Sequence, residues 1–216
     1  MLTRVDELVL LAIAEDGRIR PVAGEPAFAL ALIGAALVDL SLRGRVDADL
    51  ATLRVVDRAP TGIAVLDVVL DALVEAPSSP VAETVLGLSG LSAELGRLSL
   101  DHLVMRRVLE VQERKKFWSG QVRCYPIADG REFQEARERW AELLTREALP
   151  SPEDSALLGL ARAGGVLVGW LSNADLDRLE SRLVAVAGLD LIVRGAEQAI
   201  ARQARQRAEA ILAVSR

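Results

Sequence analysis

The segment Ala27–Val38 constrains the fold more than any other: 12 residues without a charge. Glu25-Pro26 precedes it, with proline suited to the first turn of a helix, and Asp39 interrupts it. From Ala27 to Leu42 the chain is apolar nearly all round. A helix without a polar face must be covered on every side, so it belongs at the centre of a bundle. It is too short to be a membrane span, which needs about 20 apolar residues. The rest of the core follows from composition. Hydrophobic residues make up 51% of the chain but aromatic ones only 3%. Leucine, alanine and valine must then fill the interior, and that mixture suits packed helices. The expected fold is mainly α: a single compact helical-bundle domain over residues 1–216, with a short β-hairpin protruding between helices.

The periodicity divides the chain further. Thr3 and Asp6 form a capping-box pattern ahead of an apolar row at Val5, Leu8, Val9 and Ala12, with Gly17 closing the helix. Gly44 ends the central helix. Val46–Asp57 has strand character and reads as a small hairpin. Ala59–Gly62 is a turn before a helix marked by Ile63, Leu66, Leu70 and Leu73. Ser79 is the expected cap of the next helix, with Pro80 at its first position. Ser89-Gly90 breaks it, and a longer helix runs to about Leu109. Later helices are marked by Phe133, Trp140 and Leu144, by the cap Ser151-Pro152, by Asn173 as a cap, and by a last run ending near Val214.

Charge and rare residues exclude several functions. The net charge is −5 and the isoelectric point about 5.1, against bulk attraction to nucleic acid. One cysteine, Cys124, and one histidine, His102, allow no internal disulfide and no zinc cluster. A serine–histidine–aspartate triad would have to use His102, which lies in an ordinary amphipathic pattern. The acidic pairs Glu15-Asp16, Asp47 with Asp49, and Glu153-Asp154 read as caps and loops. No phosphate-loop motif is present, and Gly159–Gly169 reads as close helix packing. No catalytic residue, metal site or cofactor is expected. Asp6 and Glu7 lie where a signal peptide would have a basic lead, so a cytoplasmic chain is expected.

Residues 111–127 differ from the rest. Ser119-Gly120 suits a two-residue hairpin turn, and Val122 and Cys124 alternate with polar neighbours. Both lysines of the protein, Lys115 and Lys116, stand here beside Phe117 and Trp118. Three readings are open for this basic-aromatic hairpin. It can enter an anionic membrane interface. It can fold its aromatics back on the core, leaving the cations as a solvated edge. It can bind a partner or drive homo-oligomerisation. Arg97, Arg106 and Arg107 on the preceding helix are candidate anion or headgroup ligands.

Several strings, in order, resemble one family. They are Leu2-Thr3 with Asp6-Glu7 and Leu8–Leu11; Leu37–Arg45; Ala59–Gly62 with Val65–Asp67; Leu86–Gly90; Leu103–Leu109; and Ala156–Ala161. The chain resembles the Golgi phosphoprotein 3 family over essentially its whole length, in a short form of the kind found in actinobacteria. The resemblance implies a non-enzymatic, peripheral membrane protein that recognises phosphatidylinositol 4-phosphate, on an anionic phospholipid surface such as the inner face of the membrane. In the family's headgroup pocket a Trp and an Arg lie near the start of the second helix, and two basic residues lie before the hairpin. Those positions hold Gly24, Ile33, Ala93 and Gly96 here, and none matches. Each missing charge-assisted hydrogen bond is worth about 1.5–3 kcal/mol.

Overall fold

The computed structural model describes residues 2–14, 17–20, 25–116, 120–128, 130–145, 150–188 and 190–214. Its helices are α1 (Arg4–Ala12), α2 (Glu25–Leu42), α3 (Ala64–Glu75), α4 (Val81–Gly87), α5 (Ser92–Met105), α6 (Gly130–Thr145), α7 (Pro152–Ala163), α8 (Asn173–Ala187) and α9 (Leu191–Val214). Two antiparallel hairpins interrupt them: β1 (Val46–Ala48) with β2 (Leu53–Val55), and β3 (Gln112–Lys116) with β4 (Gly120–Cys124). The protein is a mainly helical bundle, as the composition requires.

The bundle is built round α2. Every residue from 30 to 40 is buried, and α1, α3, α5, α7 and α9 all pack against this helix. The apolar run therefore has no polar side because it has no solvent side. The exception is Asp39, 1% exposed. It accepts the backbone N–H of Arg4 at 2.7 Å and its guanidinium at 3.2 Å, which fastens α1 to α2. Burial raises the Asp39 carboxyl above its ordinary pKa, and the Arg4 backbone N–H pulls it back.

Turns are clamped by carboxylates. Thr3 and Asp6 make the expected capping box at α1. The Asp67 carboxylate accepts the Thr61 N–H at 2.6 Å, the Thr61 hydroxyl at 2.7 Å and the Gly62 N–H at 3.1 Å. It thereby holds the turn before α3 from one turn inside the helix. Arg162 on α7 reaches Glu180 on α8 and, at 2.9 Å, Glu197 on α9.

Several expected boundaries move. Helix α1 stops at Ala12, and Gly17 instead lies against Tyr125 and Pro126, where a Cβ would come within 2.7 Å of the Pro126 nitrogen. Pro80, not Ser79, is the residue before α4, and the Ser79 hydroxyl meets that of Thr84 at 2.9 Å. Ser172 caps α8 by accepting the Asp175 N–H, so Asn173 is already helical. Helix α5 ends at Met105 rather than Leu109. Gly120 pairs with Lys116 inside the ladder, so Ser119-Gly120 is not a two-residue turn.

Candidate functional site

The cations singled out from sequence lie on α5 and just after it, but they do not converge. Arg97 is exposed and ion-paired with Asp101 at 2.8 Å and Glu94 at 3.9 Å. These partners sit one turn away on the same helix face. Its charge is therefore met locally, and no cationic surface extends from it. Arg106 and Arg107 are exposed at the C-terminal end of α5.

That end has a specific geometry. The Val108 N–H donates to the Leu103 carbonyl and the Arg107 N–H to the Val104 carbonyl, both at 2.9 Å. This is the Schellman pattern, and buried Val108 and Leu103 supply its apolar contact. The pattern places Arg107 at φ 59°. Among the described residues it is the only non-glycine residue with positive φ. An L-residue there costs roughly 1–2 kcal/mol, and glycine is the usual occupant. Arg107→Gly is therefore expected to raise stability by about 0.5–1 kcal/mol, allowing for glycine's larger chain entropy. A urea unfolding midpoint that falls instead would show that the arginine side chain holds the turn.

Of the four positions that the resemblance assigns to a headgroup pocket, three lie among the described residues, on α2 and α5. Ile33 is fully buried in α2. Ala93 is exposed and Gly96 half-buried, and a Cβ at Gly96 would meet nothing within 4 Å. Gly24 lies outside the described residues. Two clefts stand out among the described residues. A cleft of about 460 Å³ between β2, α3 and α4 includes Arg54, Arg58, Ser78 and Glu83. An apolar one of about 260 Å³ lies between Leu11, Trp140, Leu144 and Trp170.

Among the described residues the hairpin is held at its base. The Tyr125 N–H donates to the Gly17 carbonyl at 2.6 Å, and the Glu110 N–H to the Pro126 carbonyl at 2.9 Å. Cys124 is buried there. Beyond the base the two strands pair with each other, and among the described residues no other element packs extensively against them. Lys115 and Lys116 are the last residues of β3. Phe117 and Trp118 lie outside the described residues.

His102 belongs to a buried network. Its Nδ1 lies 2.8 Å from one Asp6 oxygen, and the Ser99 hydroxyl donates to the other at 2.8 Å. A catalytic triad needs the serine hydroxyl on the histidine's far nitrogen. Here the serine lies on the carboxylate and is fully buried, so the three residues join α5 to α1. Among the described residues no group of three His, Cys, Asp or Glu side chains could hold a metal ion. Glu7, beside Asp6, pairs with Arg139 at 2.6 Å. Burial raises its pKa, and Arg139 opposes that rise.

A sequence-family model described as Golgi phosphoprotein 3 matches residues 5–213. The chain belongs to the Golgi phosphoprotein 3 family. No curated protein matches it significantly. The family strings in this chain carry the carboxylate joints of the fold. Asp6 joins α1 to α5, Asp39 joins α2 to α1, and Asp67 holds the turn before α3.

Proposed function

We propose that this protein is a peripheral membrane protein of the short actinobacterial type, on the inner face of the cytoplasmic membrane, that binds anionic phospholipid through its hairpin. The observation that carries this reading is a hairpin standing off the helical body with both lysines of the chain at the end of β3, next in sequence to Phe117 and Trp118. Cations and aromatic residues adjacent in sequence suit the headgroup region of an anionic bilayer. Arg106 and Arg107 extend the same chemistry from the end of α5. An arginine at a backbone position that favours glycine supports a role for its side chain. Arg97 contributes least, since Glu94 and Asp101 already meet its charge. The acidic balance of the chain counts against a nucleic-acid partner.

Headgroup specificity is a separate matter. Without cations at Ile33, Ala93 and Gly96, recruitment should follow surface charge rather than phosphatidylinositol 4-phosphate itself. Vesicle co-sedimentation tests both points. Phosphatidylcholine vesicles containing phosphatidylserine should recruit the protein, and pure phosphatidylcholine should not. Phosphatidylinositol 4-phosphate at matched charge should add nothing. Lys115→Ala with Lys116→Ala should weaken recruitment about tenfold or more, at about 1 kcal/mol per cation. Equal recruitment to neutral and anionic vesicles would defeat the proposal. Arg107→Gly should weaken recruitment while it strengthens the fold, so the two roles of that residue separate by sign.

The open edges of β3 and β4 favour a second reading, self-association or partner binding by strand addition. Light scattering across protein concentration separates it. A dimer that dissociates on Trp118→Ala, with no vesicle binding by either form, would replace the lipid reading.

A further inference from the structure

The last helix outruns the body it packs on. Its buried row is Ile192, Val193, Ala196 and Ala199, with half-buried Gln203 the final member. From 204 to 213 every residue is exposed. Those last turns are not uniformly polar. Ala201, Ala204, Ala208, Ile211 and Leu212 fall at helical spacing on one face. Ile211 is 67% exposed and Leu212 66%. At 3.6 residues per turn the centre of this stripe lies roughly 120° round the helix from the centre of the buried row, with Ile211 at the edge of the two, in line with Val193. It adjoins the seam against α2, α4 and α7 along one edge and otherwise lies outside it.

The flanks of that face are basic. Arg205 borders it on one side and Arg207 on the other, and Arg202 lies a turn before them. Among the described residues none of the three takes part in an ion pair. Over 201–214 three arginines stand against one acid, Glu209, in a chain whose net charge is −5. We propose that residues 201–213 form an amphipathic anchor that lies in the plane of an anionic bilayer surface. Ile211 and Leu212 enter the boundary of the acyl region, and the arginines extend alongside to the headgroups. A second copy of the chain suits this face less well. It would bring two sets of arginines together over a short stripe that is mostly alanine. The anchor rests on the lipid-surface reading above but uses a segment remote in sequence from the hairpin.

Vesicle co-sedimentation of the full chain tests it, with phosphatidylcholine vesicles containing phosphatidylserine as the probe. Three variants are compared: Arg202→Ala with Arg205→Ala and Arg207→Ala; Ile211→Ser with Leu212→Ser; and Phe117→Ala with Trp118→Ala in the hairpin. The exposed α9 changes should leave the circular dichroism spectrum and unfolding midpoint unaltered. The arginine variant should lose at least about tenfold in recruitment, each cation adding about fivefold near such a surface. The Ile211/Leu212 variant should lose about fivefold or more. Wild-type recruitment that persists in both α9 variants overturns the anchor and leaves the hairpin reading intact. Loss in the α9 variants, with the hairpin variant unchanged, supports the anchor and moves the contact away from the hairpin. A wild type that does not distinguish anionic from neutral vesicles overturns both. A wild-type dimer that falls apart in the Ile211/Leu212 variant, with recruitment unchanged, overturns the anchor in favour of a second copy.

Discussion

Asp6→Ala is expected to lower folding stability by about 3–5 kcal/mol, a large part of what a domain of this size has. The side chain is fully buried. Its carboxylate accepts the Thr3 N–H, the Ser99 hydroxyl and the His102 Nδ1 side, all at 2.8 Å. Truncation leaves the Thr3 N–H and the Ser99 hydroxyl without a partner in places water does not reach, since both residues are 0% exposed. Each orphaned buried group costs about 1–3 kcal/mol. His102 suffers less, because its side chain is 26% exposed and can turn to solvent. Asp6→Asn should cost less than alanine, since one oxygen still serves Thr3 and the Ser99 hydroxyl can reorient to accept. The measurement is urea unfolding followed by circular dichroism. A double-mutant cycle with Ser99→Ala locates the cause. If the orphaned hydroxyl matters, Asp6→Ala with Ser99→Ala loses less than the sum of the two. A loss below about 1 kcal/mol for Asp6→Ala would mean that water enters the network.

The network shows where sequence reading succeeds and where it stops. The capping box between Thr3 and Asp6 is local and therefore legible. The reach of the same carboxylate to Ser99 and His102 spans more than 90 residues, and no periodicity encodes it. The central helix is legible because solvent exclusion on all sides leaves a run without charges. The end of α5 is not, for the opposite reason. Val108 and Leu109 remain buried after the chain reverses at Arg107, so the apolar pattern continues through a helix end. Gly17 misleads in a similar way: glycine after an apolar row suggests a helix stop, but what demands it is the chain crossing at Tyr125 and Pro126. At the candidate site, the pairing of Arg97 with Glu94 and Asp101 was present in the three- and four-residue spacing. The outward face of α9 was harder to see. Its alanines continue the composition of the buried half, and only the shift of the apolar row round the helix separates the two.

How firmly α9 is seated bears on that outward face, and glycines set the seating. A Cβ on Gly195 of α9 would come within 2.4 Å of Val81 Cβ and Cγ1 on α4. One on Gly159 of α7 would lie 2.6 Å from Val193 Cγ1 on α9 and 2.8 Å from the Ala187 Cβ. Neither neighbour is the end of a flexible side chain, so helices must move apart. Helix propensity alone predicts that alanine at either site stabilises by about 1 kcal/mol. The packing predicts the opposite sign, a net loss of about 1–3 kcal/mol for each, and more for valine. Gly96→Ala on α5 is the control. It has open space round the new methyl group, so it should gain about 0.5–1 kcal/mol. The Gly159 and Gly195 changes both displace α9, so their combined cost should fall short of the sum. Amide hydrogen exchange would then show reduced protection along 191–200, the docked half of α9. Its outer turns, already exposed, should change little. Stabilisation by alanine at 195 and 159, as at 96, would mean that α9 is not closely seated. A loosely seated helix could not hold its outer turns at a fixed angle to the body, and the outward stripe would lose its meaning as a face.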